Sequence, residues 1–197
     1  MIMQRHMRGI LALVVVAVGV AWPVAAGPPE GIAPAWRIDP IRSEVRFTVT
    51  KLGYEDVTGV FRESDGEIRF DPARPDDSSI RWRIRVASVL TDASNRDRAL
   101  QSEAYFDAGR HPYLSFVSRG VRAGRGDTLE VDGDITIRGV TRPLTITVRP
   151  HATATGTVFE TGFEIDRYDF GVVGGSVLGR LISARVRVHL RAAAFAK

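Results

Sequence analysis

The sequence predicts an all-β protein, an antiparallel β-barrel of about eight strands with one or two short helices. Three observations support this fold class. Apolar and polar residues alternate with a period of two through most of the chain, which is typical of strands with one buried face. Turn-forming residues separate the alternating segments by short distances, as in an antiparallel meander. Only one longer stretch, Ala93–Gln101, has a helical pattern.

The predicted strands follow one another along the chain. In Ser43–Lys51, the apolar residues Val45, Phe47 and Val49 share one face. In Ile80–Val86, four apolar residues alternate with three arginines. The same alternation continues through Leu129–Ile137, Leu144–Val148, Phe159–Ile165 and Ile182–Leu190. Each of these segments therefore predicts a strand.

Turns and helices are predicted between these strands. Gly, Pro, Asp and Ser mark turns at 64–66, 71–72, 124–127 and 139–143. The helix over Ala93–Gln101 has Ser94 or Asn95 as its candidate N-cap. A second short helical turn is expected near Asp166–Phe170.

Strands that are apolar on one face can bury that face by stacking as a sandwich or by closing into a barrel. Sequential hairpins with little helix to cover a sheet favour closure, which also removes the strand edges. An eight-stranded barrel can be filled by side chains or hollow around one small ligand, and both options remain open. Because the lining would be almost entirely apolar, a cavity here would be dry and lipophilic.

The first 26 residues have the pattern of an export signal. Arg5 and Arg8 precede an apolar run of 13 residues, Ile10–Trp22, and Val24–Ala26 provides the small residues that a signal peptidase reads. Such a run spans about 20 Å as a helix, short of the ~30 Å hydrocarbon core of a membrane. We therefore predict a signal peptide over 1–26, a flexible lead-in over 27–35, one domain over 36–197 and a periplasmic location.

Composition excludes several functional classes. The chain has no cysteine, which rules out disulfides and cysteine-held metal centres. Of its 27 basic residues, two lie within residues 1–26, which leaves 25 basic against 23 acidic residues in the rest. A nearly neutral domain argues against a dedicated nucleic-acid binder.

Motifs for catalysis and metal binding are missing from the sequence. It contains no H-E-x-x-H, no G-x-S-x-G and no P-loop. We therefore expect no catalytic residues, no metal site and no cofactor other than a bound lipid.

Two polar clusters, Asn95–Arg98 and Asp166–Gly171, have two interpretations that both stay open. They can plug the barrel ends, or they can line its mouth and orient a polar headgroup.

Several motifs resemble the YceI-like family. Trp36–Pro40, followed by Ser43, Val45 and Phe47, is similar to the opening of these proteins, and Val131–Pro143 is the most specific segment. Further matching positions are Lys51–Gly53, Val57–Gly59, Ala87–Val89, Thr91, Arg96, Asp97, Leu100, Phe106, Asp107, Pro112, Phe163, Ile165, Arg167 and Asp169–Gly171. The resemblance runs from Trp36 to about Leu190.

The resemblance implies a lipocalin-like barrel that holds a long isoprenoid or similar amphiphile in a central tunnel, without established catalytic residues. We accordingly expect an exported carrier of a polyprenyl or quinone-like lipid, and not an enzyme. The expected tunnel lining consists of Val45, Phe47, Val49, Phe61, Trp82, Ile84, Phe116, Phe163 and Ile165. The expected mouth, which would select the headgroup, consists of Arg96, Asp97, Arg167, Asp169 and Phe170.

Two other functions remain open at this point. One is a filled barrel that serves as an interaction module and assists membrane redox proteins through its arginine-rich faces. The other is an enzyme on a lipophilic substrate, with Arg96/Asp97 and Arg167/Asp169 as general acid or base. The expected partners are a lipophilic small molecule and, transiently, a membrane surface or membrane redox proteins, but no nucleic acid. The oligomeric state, including a homodimer, stays open.

Overall fold

A computed structural model describes residues 33–175, 179 and 181–196 of the chain. The predicted signal peptide and all but the end of the predicted lead-in lie outside these residues. The described part contains eleven strands and one α-helix. The strands are β1 Ala35–Ile38, β2 Glu44–Lys51, β3 Glu55–Phe61, β4 Ser64–Arg69, β5 Ser79–Arg85, β6 Val89–Leu90, β7 Tyr113–Ala123, β8 Leu129–Ile137, β9 Val140–Thr153, β10 Gly156–Asp166 and β11 Ile182–Ala196. The helix α1 spans Ser94–Gln101, and 3₁₀ turns lie at Pro75–Asp77, Val86–Ser88 and Arg167–Phe170.

These strands form a closed antiparallel barrel, as predicted. The ring runs β1–β4–β5–β7–β8–β9–β10–β11, and β11 closes it by pairing with β1. Each of the three remaining strands lies end to end with one strand of the ring. β2 lies end to end with β1, β3 with β4, and β6 with β5. The barrel therefore has eight strand positions, and two strands share each of three of them.

The two ends of the barrel differ. The β2–β3 turn, the α1 segment, the β8–β9 turn and the Arg167–Phe170 turn lie at one end, which we call the open end. The β4–β5, β7–β8 and β9–β10 connections lie at the other, which we call the closed end. At the closed end the rings of Phe70 and Phe159 meet edge to face with centroids 5.2 Å apart. The indole N–H of Trp36 donates to the carbonyl of Phe70 at 3.2 Å. Aromatic packing thus fills this end.

One predicted turn is wrong, and another is shorter than predicted. Residues 64–66 lie within β4, because Asp65 pairs with Arg83 of β5 at 2.9 Å and Gly66 packs directly on the neighbouring backbone. A Cβ atom on Gly66 would lie 2.3 Å from the carbonyl oxygen of Arg81, so the strand needs glycine here. The predicted turn at 139–143 is shorter, with Arg138 and Gly139 at φ +50° and +74° and β9 starting at Val140. Positive φ at both central residues is typical of a type I′ hairpin turn.

The predicted N-cap of α1 is also wrong. The helix begins at Ser94 with Ala93 as its N-cap, and no side chain caps it. Ser94 and Asn95 are both inside the first turn, so neither can occupy the cap position. The predicted second helical turn is confirmed as the 3₁₀ turn Arg167–Phe170, in which the Asp166 side chain accepts from the N–H of Tyr168 at 2.9 Å.

Candidate functional site

The barrel encloses an apolar cavity of about 350 Å³. Its wall is formed by inward-facing side chains of most strands, together with α1 and the residues that follow it. Many of these side chains are only half-buried, although they point into the barrel. Their accessible surface faces the cavity, so the barrel is hollow, which the sequence left open.

All nine residues of the expected tunnel lining face this cavity. They are Val45, Phe47, Val49, Phe61, Trp82, Ile84, Phe116, Phe163 and Ile165. Their positions follow from the period of two, since alternate residues of a strand point to the same side of a sheet. Contact of these residues with a ligand stays a prediction.

The cavity reaches the surface at the open end. Lys51, at the end of β2, and Arg96, in α1, both line it, and their side chains are 42% and 34% exposed. Lys51 pairs with Glu55 at 3.2 Å, and Arg96 pairs with Asp92. Charged groups thus stand where the cavity meets water.

The expected mouth residues divide into two groups. Arg96, Arg167 and Phe170 line the cavity, whereas Asp97 and Asp169 are not among its lining residues. Asp97 holds the segment before α1, because its carboxylate accepts from the backbone N–H and the hydroxyl of Thr91 at 2.8 and 2.6 Å. Asp169 is exposed in the 3₁₀ turn. A headgroup role for these two carboxylates stays a prediction, without support from their placement.

Arg167 continues the inward-facing row of β10, and its side chain is buried. Its guanidinium lies 4.2 Å from the ring centroid of Tyr168. All three of its nitrogens donate to oxygens of the protein, at 2.6–3.0 Å. These acceptors are the carbonyls of Val172, Val173, Gly179, Ile182 and Ser183, and the hydroxyl of Tyr168. This geometry favours a role in fixing the chain between β10 and β11 at the cavity entrance. Headgroup selection by Arg167 stays a prediction.

Sequence reasoning missed part of the wall. Leu100, Tyr105 and Phe106 cover the cavity from the α1 segment, with the Phe106 ring 5.9 Å from that of Phe61. A segment without period-two alternation gives no signal for facing the interior of a barrel. Thr161 was also missed, although it occupies an inward position between Phe159 and Phe163. A polar residue in the apolar phase of a strand is the signal that could have identified it.

The arginines on the outer face are paired with acids of neighbouring strands. Arg83 meets Asp65 at 2.9 Å, and Arg85 meets Glu63 at 3.2 Å. Further pairs are Arg185–Glu164 at 3.2 Å and Arg187–Asp56 at 2.6 Å. Hydrogen bonds from Arg187 and, at 2.9 Å, from the hydroxyl of Thr50 lower the pKa of Asp56. These faces are therefore largely neutralised within the barrel itself.

The structure also shows what the described residues do not provide. In that part of the chain, no group of three or more His, Asp or Glu side chains is placed to hold a metal ion. No helix there combines the length and apolar character needed to cross a membrane.

Comparison with known proteins agrees with this architecture. The model of the YceI-like domain matches residues 36–194. The chain is 37% identical over 142 residues to a UPF0312 protein of Pseudomonas fluorescens, covering 64% of this chain and 70% of the relative. A UPF0312 protein of Shewanella denitrificans is 34% identical over 139 residues, covering 66% and 71%. For the relative from Azotobacter vinelandii, 34% identical over 105 residues, the match spans 53% of this chain and 55% of that protein.

Solved structures share the fold at low sequence identity. BcnA of Burkholderia cenocepacia superposes with a TM-score of 0.74 at 24% identity, covering 79% of this chain and 98% of BcnA. A polyisoprenoid-binding domain from Saccharophagus degradans, implicated in plant cell wall breakdown, gives a TM-score of 0.68 at 18% identity, covering 83% and 99%. At these identities the likeness concerns the fold alone.

Proposed function

Since the chain belongs to the YceI-like family, we propose that it is an exported carrier that holds a long isoprenoid, quinone-like or similar lipid in its barrel. The observation that carries this proposal is the apolar cavity of about 350 Å³ that reaches the surface at the open end. Pockets that enclose small-molecule ligands commonly measure about 300–1,000 Å³. A structural neighbour described as a polyisoprenoid-binding domain gives further support.

The driving force would be burial of the lipid tail. Each methylene group that leaves water for an apolar environment contributes roughly 0.8 kcal/mol. The wall supplies aliphatic and aromatic side chains along its whole length, so a tail of about fifteen to twenty carbons gains affinity without specific polar contacts. Charged groups at the entrance, Lys51 and Arg96, can meet a headgroup that stays in water.

The test replaces one aromatic residue of the wall by a carboxylate. We expect Phe163→Asp to lower the affinity for prenyl alcohols at least about tenfold, because an unpaired charge in an apolar cavity is strongly unfavourable. Phe195→Asp is the matched control, since Phe195 is exposed on β11 and lies opposite Arg37 of β1. Competition against a fluorescent fatty-acid analogue reports the affinity, and circular dichroism verifies the fold. Equal affinity of the two folded variants would contradict the proposal.

Export and periplasmic location form part of the same proposal. Their support is the predicted signal peptide over residues 1–26, which lies outside the described residues. Mass spectrometry of the protein recovered from the periplasm is expected to give a chain that begins at Gly27. Recovery of the full-length chain in the cytoplasm would refute this part.

We further propose that the carrier exchanges its lipid at a membrane surface. Leu52, Tyr54 and Leu181 are exposed apolar residues at the open end, and the backbone N–H of Leu52 donates to the carbonyl of Leu181 at 2.7 Å. We call these three residues the apolar rim. They adjoin Lys51 and Ile182, which line the cavity, so a tail leaving the barrel would meet the rim first. An exposed apolar cluster of this kind is typical of membrane or partner contact.

Sedimentation with vesicles of phosphatidylethanolamine and phosphatidylglycerol tests the rim. The double variant Leu52→Asn, Tyr54→Ser is expected to bind several-fold less than the unchanged protein. Ile41→Ser is the control, because Ile41 is 92% exposed but precedes β2, away from the open end. If the control loses as much binding as the double variant, the rim has no special role.

The alternatives have weaker support. The cavity argues against a filled barrel, and the pairing of the outer arginines with acids leaves these arginines less available to a redox partner.

We propose that the protein binds and releases its ligand without chemical change. Recovery of unaltered lipid after prolonged incubation would agree with this. Turnover that disappears in Asp97→Asn or Asp169→Asn would instead favour the enzyme.

A further inference from the structure

Arg138 occupies a turn position that does not suit an arginine. It is the first central residue of the β8–β9 turn, with φ +50°, and Gly139 follows at φ +74°. Left-handed backbone at both positions favours Asn-Gly or Gly-Gly, and a longer side chain there costs free energy. Such a conformation persists only where the surrounding structure holds it. The contacts of the Arg138 side chain give the reason.

The guanidinium of Arg138 joins three elements of the open end. It extends from the β8–β9 turn, and its Nη2 donates to the carbonyl of Glu103, just after α1, at 2.8 Å. Its Nη1 donates to the carbonyl of Gly171, at the end of the 3₁₀ turn. Glu103 belongs to residues 94–108, which we call the cover because side chains of this segment line the cavity at the open end.

The ladder between β9 and β10 stops short of the open end. Backbone pairing ends at Val148 and Thr161, although β9 starts at Val140. Beyond that point the wall includes Phe170 and Val172, which are buried and line the cavity. Side-chain packing, and not a hydrogen-bonded ladder, therefore closes this part of the wall next to the cover.

Two hydrogen bonds link the cover to the β8–β9 turn and to the connection between β10 and β11. One is the bond from Arg138 to Glu103, and the other joins the N–H of Gly174 to the carbonyl of Ala104 at 3.0 Å. Bonds between its own backbone groups hold the cover together. If the two links break, the cover can therefore move away from the cavity as a unit.

We propose that Arg138 is a positioning residue that holds the cover closed over the cavity and thereby limits the rate at which a lipid enters and leaves. This role rests on the proposed lipid-binding function and adds a gate to it. Arg138 is not among the lining residues, so its bonds can persist whether the barrel is empty or filled. Loss of these bonds therefore speeds entry and exit alike and leaves the equilibrium affinity unchanged.

Arg138→Asn tests this role without harming the turn, because Asn-Gly is a pair that a type I′ turn favours. The shorter side chain cannot reach both carbonyls. Stopped-flow fluorescence with cis-parinaric acid, a fluorescent fatty acid, gives the association and dissociation rate constants. We expect both to rise about tenfold, the effect of losing one hydrogen bond from a charged donor, while the dissociation constant changes by less than about twofold.

Arg191→Gln is the matched control. Arg191 also donates to a backbone carbonyl, that of Arg42, at 2.8 Å. It lies in the half of β11 nearer the closed end and does not line the cavity. Both rate constants of this variant should equal those of the unchanged protein.

Hydrogen exchange of the ligand-free protein gives a second readout. The N–H of Gly174, which bonds the cover, should exchange about tenfold faster in Arg138→Asn, because the cover opens more often. The N–H of Val131, which lies in β8 between β7 and β9, should exchange at an unchanged rate. Faster exchange at both positions would indicate general destabilisation and would contradict the gate.

The results separate this role from the proposed function. If the unchanged protein binds neither cis-parinaric acid nor a prenyl alcohol, the carrier function fails and the gate with it. If Arg138→Asn binds the probe with unchanged rate constants, or loses affinity without faster association, lipid binding stands and the gate is refuted.

Discussion

Phe47 lines the cavity, and Gly59 is its cross-strand partner on β3. A Cβ atom on Gly59 would lie 2.3 Å from Cζ of Phe47. The missing side chain therefore makes room for the phenyl ring to lie against the wall. Gly133 does the same for Phe116, where a Cβ would lie 2.5 Å from Cζ. Two glycines thus help to keep the barrel hollow.

This contact makes Gly59→Ala informative. The added methyl group would displace the ring of Phe47 toward the cavity and reduce its volume. We expect a loss of about 1–3 kcal/mol in the free energy of unfolding, and a several-fold weaker affinity for branched prenyl lipids. Urea denaturation and probe competition measure the two effects. Gly120→Ala is the control, since a Cβ there meets no atom within 4 Å. A fully retained affinity in Gly59→Ala would contradict this account of the cavity.

At the scale of residues, the sequence predicted which strand side chains face inward but not what they do there. Alternation placed Phe163 and Trp82 correctly because it depends only on the geometry of a strand. It could not show that the indole N–H of Trp82 lacks a hydrogen-bond partner among the described residues, since that depends on residues distant in sequence. The tightly held guanidinium of Arg167 escaped prediction for the same reason.

Arg167 stabilises the connection between β10 and β11, an element that borders the cavity entrance. Its N–H groups donate to the carbonyls of Val172, Val173, Gly179, Ile182 and Ser183. We expect Arg167→Lys to lower the free energy of unfolding by about 2–3 kcal/mol, because an ammonium group cannot satisfy the same set of acceptors. Hydrogen exchange should quicken at Val172 and Gly174, whose N–H groups bond Arg167 O and Ala104 O.

A different result would separate two roles of this residue. If Arg167→Lys keeps the hydrogen-exchange protection but changes the preference among headgroups, Arg167 acts on the ligand and not on the connection.

Asp56 links the β2–β3 hairpin to β11 through Arg187, and its pKa is lowered by that hydrogen bond and by Thr50. A carboxyl group whose pKa is lowered by folding stabilises the folded state above its ordinary pKa, which is near 4. This contribution disappears as the pH falls through the lowered value. We therefore expect Asp56→Asn to unfold at a lower temperature than the unchanged protein at pH 6, and the difference to shrink as the pH falls below the ordinary pKa of an aspartate. Thermal unfolding followed by circular dichroism measures this, and a difference independent of pH would contradict it.

At the scale of elements, the sequence predicted the long strands. It did not predict that two strands lie end to end at three positions of the barrel. Polar residues such as Ser64 and Asp65 resemble a turn locally, but their ladder partners on β5 hold them in a strand. The α1 segment was predicted as a helix, while its contact with the cavity depends on where the barrel closes. Tertiary contacts decided both cases.

The whole molecule follows from closure of a meander whose inner face is apolar. Closure pairs every strand of the ring with a neighbour on both sides and encloses one interior. Aromatic residues fill this interior at the closed end, and the cavity occupies it toward the open end. Sequence alone supported the barrel but not the choice between filled and hollow, because the free volume depends on how the rings of Phe47, Phe61 and Phe116 lie. The cavity is what distinguishes a carrier from a structural module.

Native mass spectrometry tests the central claim most directly. The chain would be purified from the periplasm without detergent, and its intact mass compared before and after extraction with organic solvent. Our account predicts an added mass that extraction removes and that is identified as a lipid with an isoprenoid or similar long tail. A mass equal to that of the polypeptide, unchanged after incubation with prenyl lipids and quinones, would contradict it.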